Sequence, residues 1–199
     1  MDTVKEFQEK KYTKYNNVLN KDIIDFVSQY ALFDELRNPS INDGQVINAH
    51  AKYADPAMET ILVLLKDKIE AITGLSLYPT YSYYRVYRNG STLEKHIDRP
   101  SCEISATLSF NYSYQHSPWP IYMDGKEVIL EPGDIAVYRG CEVEHWRNEL
   151  ITGPDEWHVQ GFFHYVDQNG PFSEFKFDKR NSIGSNKTQK NNKKYITII

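Results

Sequence analysis

His96 and Asp98 stand two residues apart in the segment RVYRNGSTLEKHIDR, residues 85–99. On an extended backbone, side chains two apart point to the same face. An imidazole and a carboxylate side by side can take adjacent positions on one metal ion, with a third ligand supplied from elsewhere. Two histidines and one carboxylate form the facial triad of non-haem Fe(II) sites, which leaves the opposite face of the ion open for substrates. Alone, the pair reads as readily as two polar residues on a surface.

A second segment, EPGDIAVYRGCEVEHWR at 131–147, changes that balance. A Pro132-Gly133-Asp134 turn opens a strand over 134–138, and a loop leads to His145 on the next. His145 lies 47 residues after Asp98, with several strands between, as closure of a β-structure around a shared metal would require. His158 and His164, on the last strand with Gln160 and Phe162 on the same face, are alternative third ligands and otherwise pocket residues.

Elements must bring these residues together. Asn20 to Leu36 reads as a helix, with Ile23, Phe26, Val27 and Tyr30 at helical spacing. A better marked helix follows Asp55, an N-cap with Pro56 behind it. Its apolar face is Met58, Ile61, Leu62, Leu65, Ile69 and Ile72, and Gly74 ends it. The first 20 residues read as loose and 37–54 as loop. After Gly74 the period falls to that of strands: runs at 77–88, 103–112, 119–123, 126–131, 134–138, 142–148 and 157–166 are cut by turn dipeptides such as Asn89-Gly90 and Asp124-Gly125. Many short strands behind two helices predict a mainly β fold, a sandwich or barrel braced by N-terminal helices.

The region 81–165 resembles the Fe(II)- and 2-oxoglutarate-dependent oxygenases, most nearly their prolyl-hydroxylase-like branch. The resemblance rests on the tyrosine-rich strand before Asn89-Gly90, on His96-x-Asp98, on Pro132-Gly133-Asp134 and on the distal His145. It implies a double-stranded β-helix, a jelly-roll or cupin-like barrel. It also implies His96, Asp98 and His145 as Fe(II) ligands and 2-oxoglutarate and dioxygen as cosubstrates. Hydroxylation of an amino-acid side chain or a small metabolite, releasing succinate and CO2, would follow. The family usually places an Arg or Lys about ten residues after the distal His to hold the far carboxylate of 2-oxoglutarate. Here 148–165 contains no Lys or Arg. Arg147, two past His145 and on the same face, is the candidate, with Arg85, Arg99 and Lys95 as alternatives. A guanidinium fork suits a carboxylate. Tyr84 or Thr107 would add a hydroxyl donor.

One domain over 1–178 is expected, with helices in 20–74, the barrel in 77–166 and a disordered tail at 179–199. The 199 residues carry 23 basic and 27 acidic side chains, a net −4. Residues 179–199 hold six Lys or Arg and no Asp or Glu, so the rest carries −10. An acidic body disfavours nucleic acid as partner. The longest apolar stretch, 61–65, is too short for a membrane, and two cysteines without an export signal point to a cytoplasmic protein. The competing reading is a cupin-type metal-binding isomerase or binding module without oxygen chemistry. It lacks the His-x-His pair that cupins carry.

Overall fold

In the computed structural model, residues 3–39 and 44–185 are described. The two expected helices form, the second on its expected cap. The Asn20 side chain accepts the Ile23 amide at 2.9 Å and starts α2 (Lys21–Arg37). Asp55 does the same for α3 (Pro56–Thr73) through the Ala57 amide at 2.9 Å, and Gly74, at φ 73°, closes it. The α3 stripe is buried as read. On α2 the buried face turns toward Ile24, Val27 and Ala31, leaving Phe26 65% exposed.

Eight strands follow: β3 (Leu77–Tyr87), β4 (Leu93–His96), β5 (Ile104–Tyr112), β6 (Ile121–Met123), β7 (Lys126–Val128), β8 (Ile135–Arg139), β9 (His145–Arg147) and β10 (His158–Asp167). Two more precede them, β1 (Tyr12–Tyr15) and β2 (Ala49–Tyr53). The large sheet runs β1-β8-β5-β10-β3-β2 and the small one β4-β9-β6-β7, antiparallel throughout. The strands remain two separate sheets, with a cavity lined from both.

Alternation along the large sheet sorts core from site. Tyr84, Val86, Ala106, Leu108, Ile135, Val137, Val159 and Phe163 pack with the helices in one apolar cluster. The intervening residues Tyr81, Tyr83, Arg85, Phe162 and His164 line the cavity on the other face.

Three stretches depart from expectation, one of them β4, which lies between the runs expected at 77–88 and 103–112. Residues expected to be loose form α1 (Thr3–Lys10), which buries Phe7 completely, and β1, which pairs with β8. The stretch 37–54, read as loop, contains β2, paired with β3. These short edge strands carry mixed sequences, Tyr-Thr-Lys-Tyr and Ala-His-Ala-Lys-Tyr. Backbone pairing on one side, rather than apolar alternation, holds them, and such pairing leaves little trace in side-chain pattern.

After β10 the segment Ser173–Lys179, helical turns broken by a kink at Lys176, Phe177 and Asp178, leads to Arg180. Arg180 is only 7% exposed and pairs with buried Glu59 at 2.5 Å, so this member of the basic stretch packs into the body. Residues 186–199 of the expected tail lie outside the described residues. No helix among the described residues is long and apolar enough to cross a membrane.

Candidate metal and cosubstrate site

His96 closes β4 and His145 opens β9, and these strands pair with the two histidines in register. Asp98, two residues past β4, is tied to the loop after β8 by its amide, which donates to the Gly140 carbonyl at 2.8 Å. The result brings the three expected ligands to one point, with donor atoms all within 4.8 Å of one another. His96 Nε2 and His145 Nε2 lie 3.8 and 3.7 Å from Asp98 Oδ1. An ion with bonds of about 2.1 Å would draw these atoms closer together.

The backbone sets the imidazole tautomers. His96 Nδ1–H donates to the Glu94 carbonyl at 2.7 Å and His145 Nδ1–H to the Val143 carbonyl at 2.9 Å. A carbonyl can only accept, so in each neutral ring the lone pair lies on Nε2, the atom aimed at the cluster. Burial holds the His145 pKa below its ordinary value, against the pull of Asp98. Asp98 Oδ2 accepts from Ser105 Oγ at 2.7 Å, leaving Oδ1 for the cluster. Ser105 Oγ also meets His164 Nδ1 at 2.9 Å. His164 therefore supports the carboxylate through Ser105. It also belongs to an overlapping group with Asp98 and Cys102. Burial, then the charge of Asp98, pushes the Cys102 thiol far up, which keeps it protonated.

The cluster opens onto a cavity of about 390 Å³. Its walls include Tyr53, Tyr81, Tyr83, Phe162, Tyr138 and the guanidinium groups of Arg85 and Arg99. Arg99 is tied to Asp178 by bonds of 2.8 and 3.2 Å. Arg85 donates to Gln45 at 2.6 Å and lies over the rings of Tyr83 and Phe162. Lys95 points away, to Glu144 at 3.1 Å and over Trp146.

Arg147 is 1% exposed, on the small sheet beyond His145. It donates to the Trp119 carbonyl at 2.5 Å and to Gln160 Oε1 at 3.2 Å, both neutral, while its Nε–H has no partner. Among the described residues no carboxylate pairs with it. Burial lowers its pKa. A buried cation with neutral neighbours and an orphaned donor is the environment an incoming carboxylate would complete. Thr107 lies close by connection: its Oγ accepts from Gln160 Nε2 at 2.6 Å, which leaves its own O–H to donate.

Tyr84 does not fit its expected role. Alternation puts it on the helix side of β3, where its hydroxyl donates to Asp34 and meets His50 Nε2 at 3.3 Å. The strand period alone could have assigned this, because Tyr81, Tyr83 and Arg85 take the other face. Tyr138 and Ser105 were not singled out in the sequence, and Gln160 was placed only by its face of the last strand. Tyr138 is fully buried, lines the cavity and brings its hydroxyl to 3.4 Å from His145 Nε2.

No protein-family model matches the sequence, nor does any curated protein. Solved structures do match in fold. A Pseudomonas putida prolyl-4-hydroxylase superposes with a TM-score of 0.62 at 20% identity, covering 81% of this chain and 96% of that one. HygX from Streptomyces hygroscopicus, solved with nickel and 2-oxoglutarate bound, gives 0.63 at 10% identity, covering 84% and 87%. SnoN, a non-haem α-ketoglutarate-dependent epimerase from nogalamycin biosynthesis, gives 0.66 at 12% identity, covering 83% and 81%. The chain has the double-stranded β-helix fold these oxygenases share.

Proposed function

We propose that the protein is an Fe(II)- and 2-oxoglutarate-dependent dioxygenase whose metal is held by His96, Asp98 and His145. One observation carries this reading: two imidazole Nε2 atoms and one carboxylate oxygen meet beside a cavity, on a fold that in HygX holds a metal and 2-oxoglutarate. The residues fit the group. Two nitrogens and one carboxylate oxygen are the facial set of non-haem iron, and the orphaned Arg147 Nε–H calls for an anion.

When bound, the Fe(II) and 2-oxoglutarate pair supplies oxidation by dioxygen, with succinate and CO2 released. The chain's own residues bind and orient. Glu94 and Val143 carbonyls hold the two histidines in the ligating tautomer. Ser105 fixes the rotation of Asp98. Arg147, with the Thr107 hydroxyl near it, takes the far carboxylate of 2-oxoglutarate. The aromatic cavity receives the prime substrate and keeps water from the reacting centre. Its volume suits an amino-acid side chain presented on a peptide, or a small metabolite. Hydroxylation is the reaction proposed, with the neighbours' epimerase marking a wider range on this fold. The cupin-type reading has no observation in its favour.

The test is anaerobic titration with Fe(II) and 2-oxoglutarate, followed by the visible charge-transfer band, then succinate release on admitting oxygen. The band and succinate are expected in the wild type and absent in His96→Ala. A wild type that binds no Fe(II), or a band unchanged in His96→Ala, would overturn the proposal.

A further inference from the structure

The arginine on the small sheet is held by a chain of hydrogen bonds whose directions follow from one fact: a guanidinium can only donate. Arg147 Nη2 therefore requires the oxygen of Gln160, not its NH2, at 3.2 Å. That oxygen also faces His158 Nε2 at 2.8 Å, so Nε2 must carry the proton. A neutral His158 then has its lone pair on Nδ1, and the Tyr114 hydroxyl donates to it at 2.7 Å. The Tyr114 oxygen in turn accepts the Trp119 amide at 3.1 Å, and the Trp119 carbonyl returns to Arg147 Nη1 at 2.5 Å. The loop closes on itself. At its far side Gln160 Nε2 donates to Thr107.

Every side chain of this ring is buried: Arg147 1%, His158 0%, Gln160 0%, Tyr114 2% and Trp119 6% exposed. The ring also bridges the two sheets, because Arg147 belongs to β9 and both His158 and Gln160 to β10. Burial first, then the charge of Arg147, brings the His158 pKa down to about 3, so the ring keeps one proton arrangement across ordinary pH.

We infer that His158 is a positioning residue for the cosubstrate, acting through Gln160 to fix the Arg147 guanidinium so that its unused Nε–H faces the bound anion. His158 belongs to neither ligand group and, like Arg147 and Gln160, is not among the residues lining the cavity; it acts on the guanidinium through the amide it orients and through Tyr114 and Trp119. The inference rests on Arg147 being the anchor of the far carboxylate. It assigns the buried imidazole a task distinct from ligation, and places the cationic anchor on the sheet opposite the strand where the resemblance leads one to look for it.

The test uses equilibrium binding to the Mn(II)-loaded protein, measured by calorimetry with two probes. 2-Oxoglutarate has both carboxylates; 2-oxobutyrate keeps the chelating end and lacks the far one. In His158→Leu, 2-oxoglutarate affinity is expected to fall about tenfold, the loss of an oriented bond to a charged group, while 2-oxobutyrate affinity stays as in the wild type. His158→Gln, which can offer an amide N–H near the place of Nε2, should restore most of the affinity. Equal loss for both probes, or no loss for 2-oxoglutarate, would overturn the role of His158. Arg147→Met separates the two readings: unchanged 2-oxoglutarate affinity there removes the anchor itself, while a wild type that binds Mn(II) but neither probe removes the proposed cosubstrate.

Discussion

Gly140 shows how little room the ligand cluster has. A Cβ there would stand 2.2 Å from the Cys102 carbonyl oxygen, 2.5 Å from Asp98 Oδ2 and 2.8 Å from Ser105 Oγ. One of those atoms belongs to the Asp98 carboxylate itself, one to the hydroxyl that bonds it, and one to the backbone. Gly140→Ala is therefore expected to displace Asp98 and weaken Mn(II) binding by about tenfold or more, as second-shell damage does. Calorimetric metal titration measures it, and an unchanged affinity would show the loop yields. Arg147→Met tests the other end of the site. Its expected signature is a raised KM for 2-oxoglutarate, by about tenfold or more, with Fe(II) affinity intact. At this scale the sequence was legible where spacing itself encodes geometry. His96 and Asp98 share a face because they are two apart, and His145 reaches them because its strand pairs with β4. Tyr138 was not legible, and Gln160 only as to its face, since nothing local distinguishes an inward tyrosine from any other or names a glutamine's partner. Only the register of neighbouring strands brings them to His145 and Arg147.

Among the elements, α2 is tied to the large sheet by one carboxylate. Asp34 accepts from His50 at 3.1 Å, from Lys52 at 2.9 Å and from Tyr84, joining α2 to β2 and β3. Burial alone would raise its pKa, but bonds from Tyr84, Lys52 and His50 outweigh it and hold the carboxyl well below the ordinary 3.8. A depressed carboxylate contributes stability above its unfolded pKa and loses it as pH falls through the folded one. Asp34→Asn should then cost about 2 kcal/mol at pH 7, or roughly 4–8 °C in Tm for a chain of this size. The deficit should shrink below about pH 4, as the wild type loses the same contribution. Thermal melts across pH 2–7 check the slope, and a constant deficit would contradict it. The helix α3 was readable, because a cap, a proline and a left-handed glycine act within a few residues, and α2 by its spacing, whereas α1 was not. The edge strands β1 and β2 were not, because their partners β8 and β3 lie far away in sequence.

For the molecule as a whole, the chain from 173 onward closes the body. Glu59 on α3 and Arg180 are both nearly sealed from solvent, and the Gly184 amide also donates to Glu59. Breaking a buried pair by removing one partner costs about 3–5 kcal/mol. Ending the chain after Asp178, at the boundary that charge alone suggests, should lower stability by that order, and denaturant unfolding measures it. Net charge located a basic stretch correctly but not the point where packing stops, because a sum of charges does not see that Arg180 has a buried partner.

Asp178 itself has a consequence for the order in which the protein becomes functional. It receives bonds from Arg99, Ser101 and Tyr53, side chains at or beside the cavity wall. Arg99 directly follows Asp98, a proposed ligand, yet its partner is made 79 residues later. On the ribosome, His96 and Asp98 emerge long before His145, and the wall is braced only once Asp178 has emerged. Such non-local closure is slow relative to local helix formation. Until His145 has joined them, a growing chain would offer only two of the three side chains proposed to hold the metal, and the wall beside them stays unbraced until Asp178 is in place.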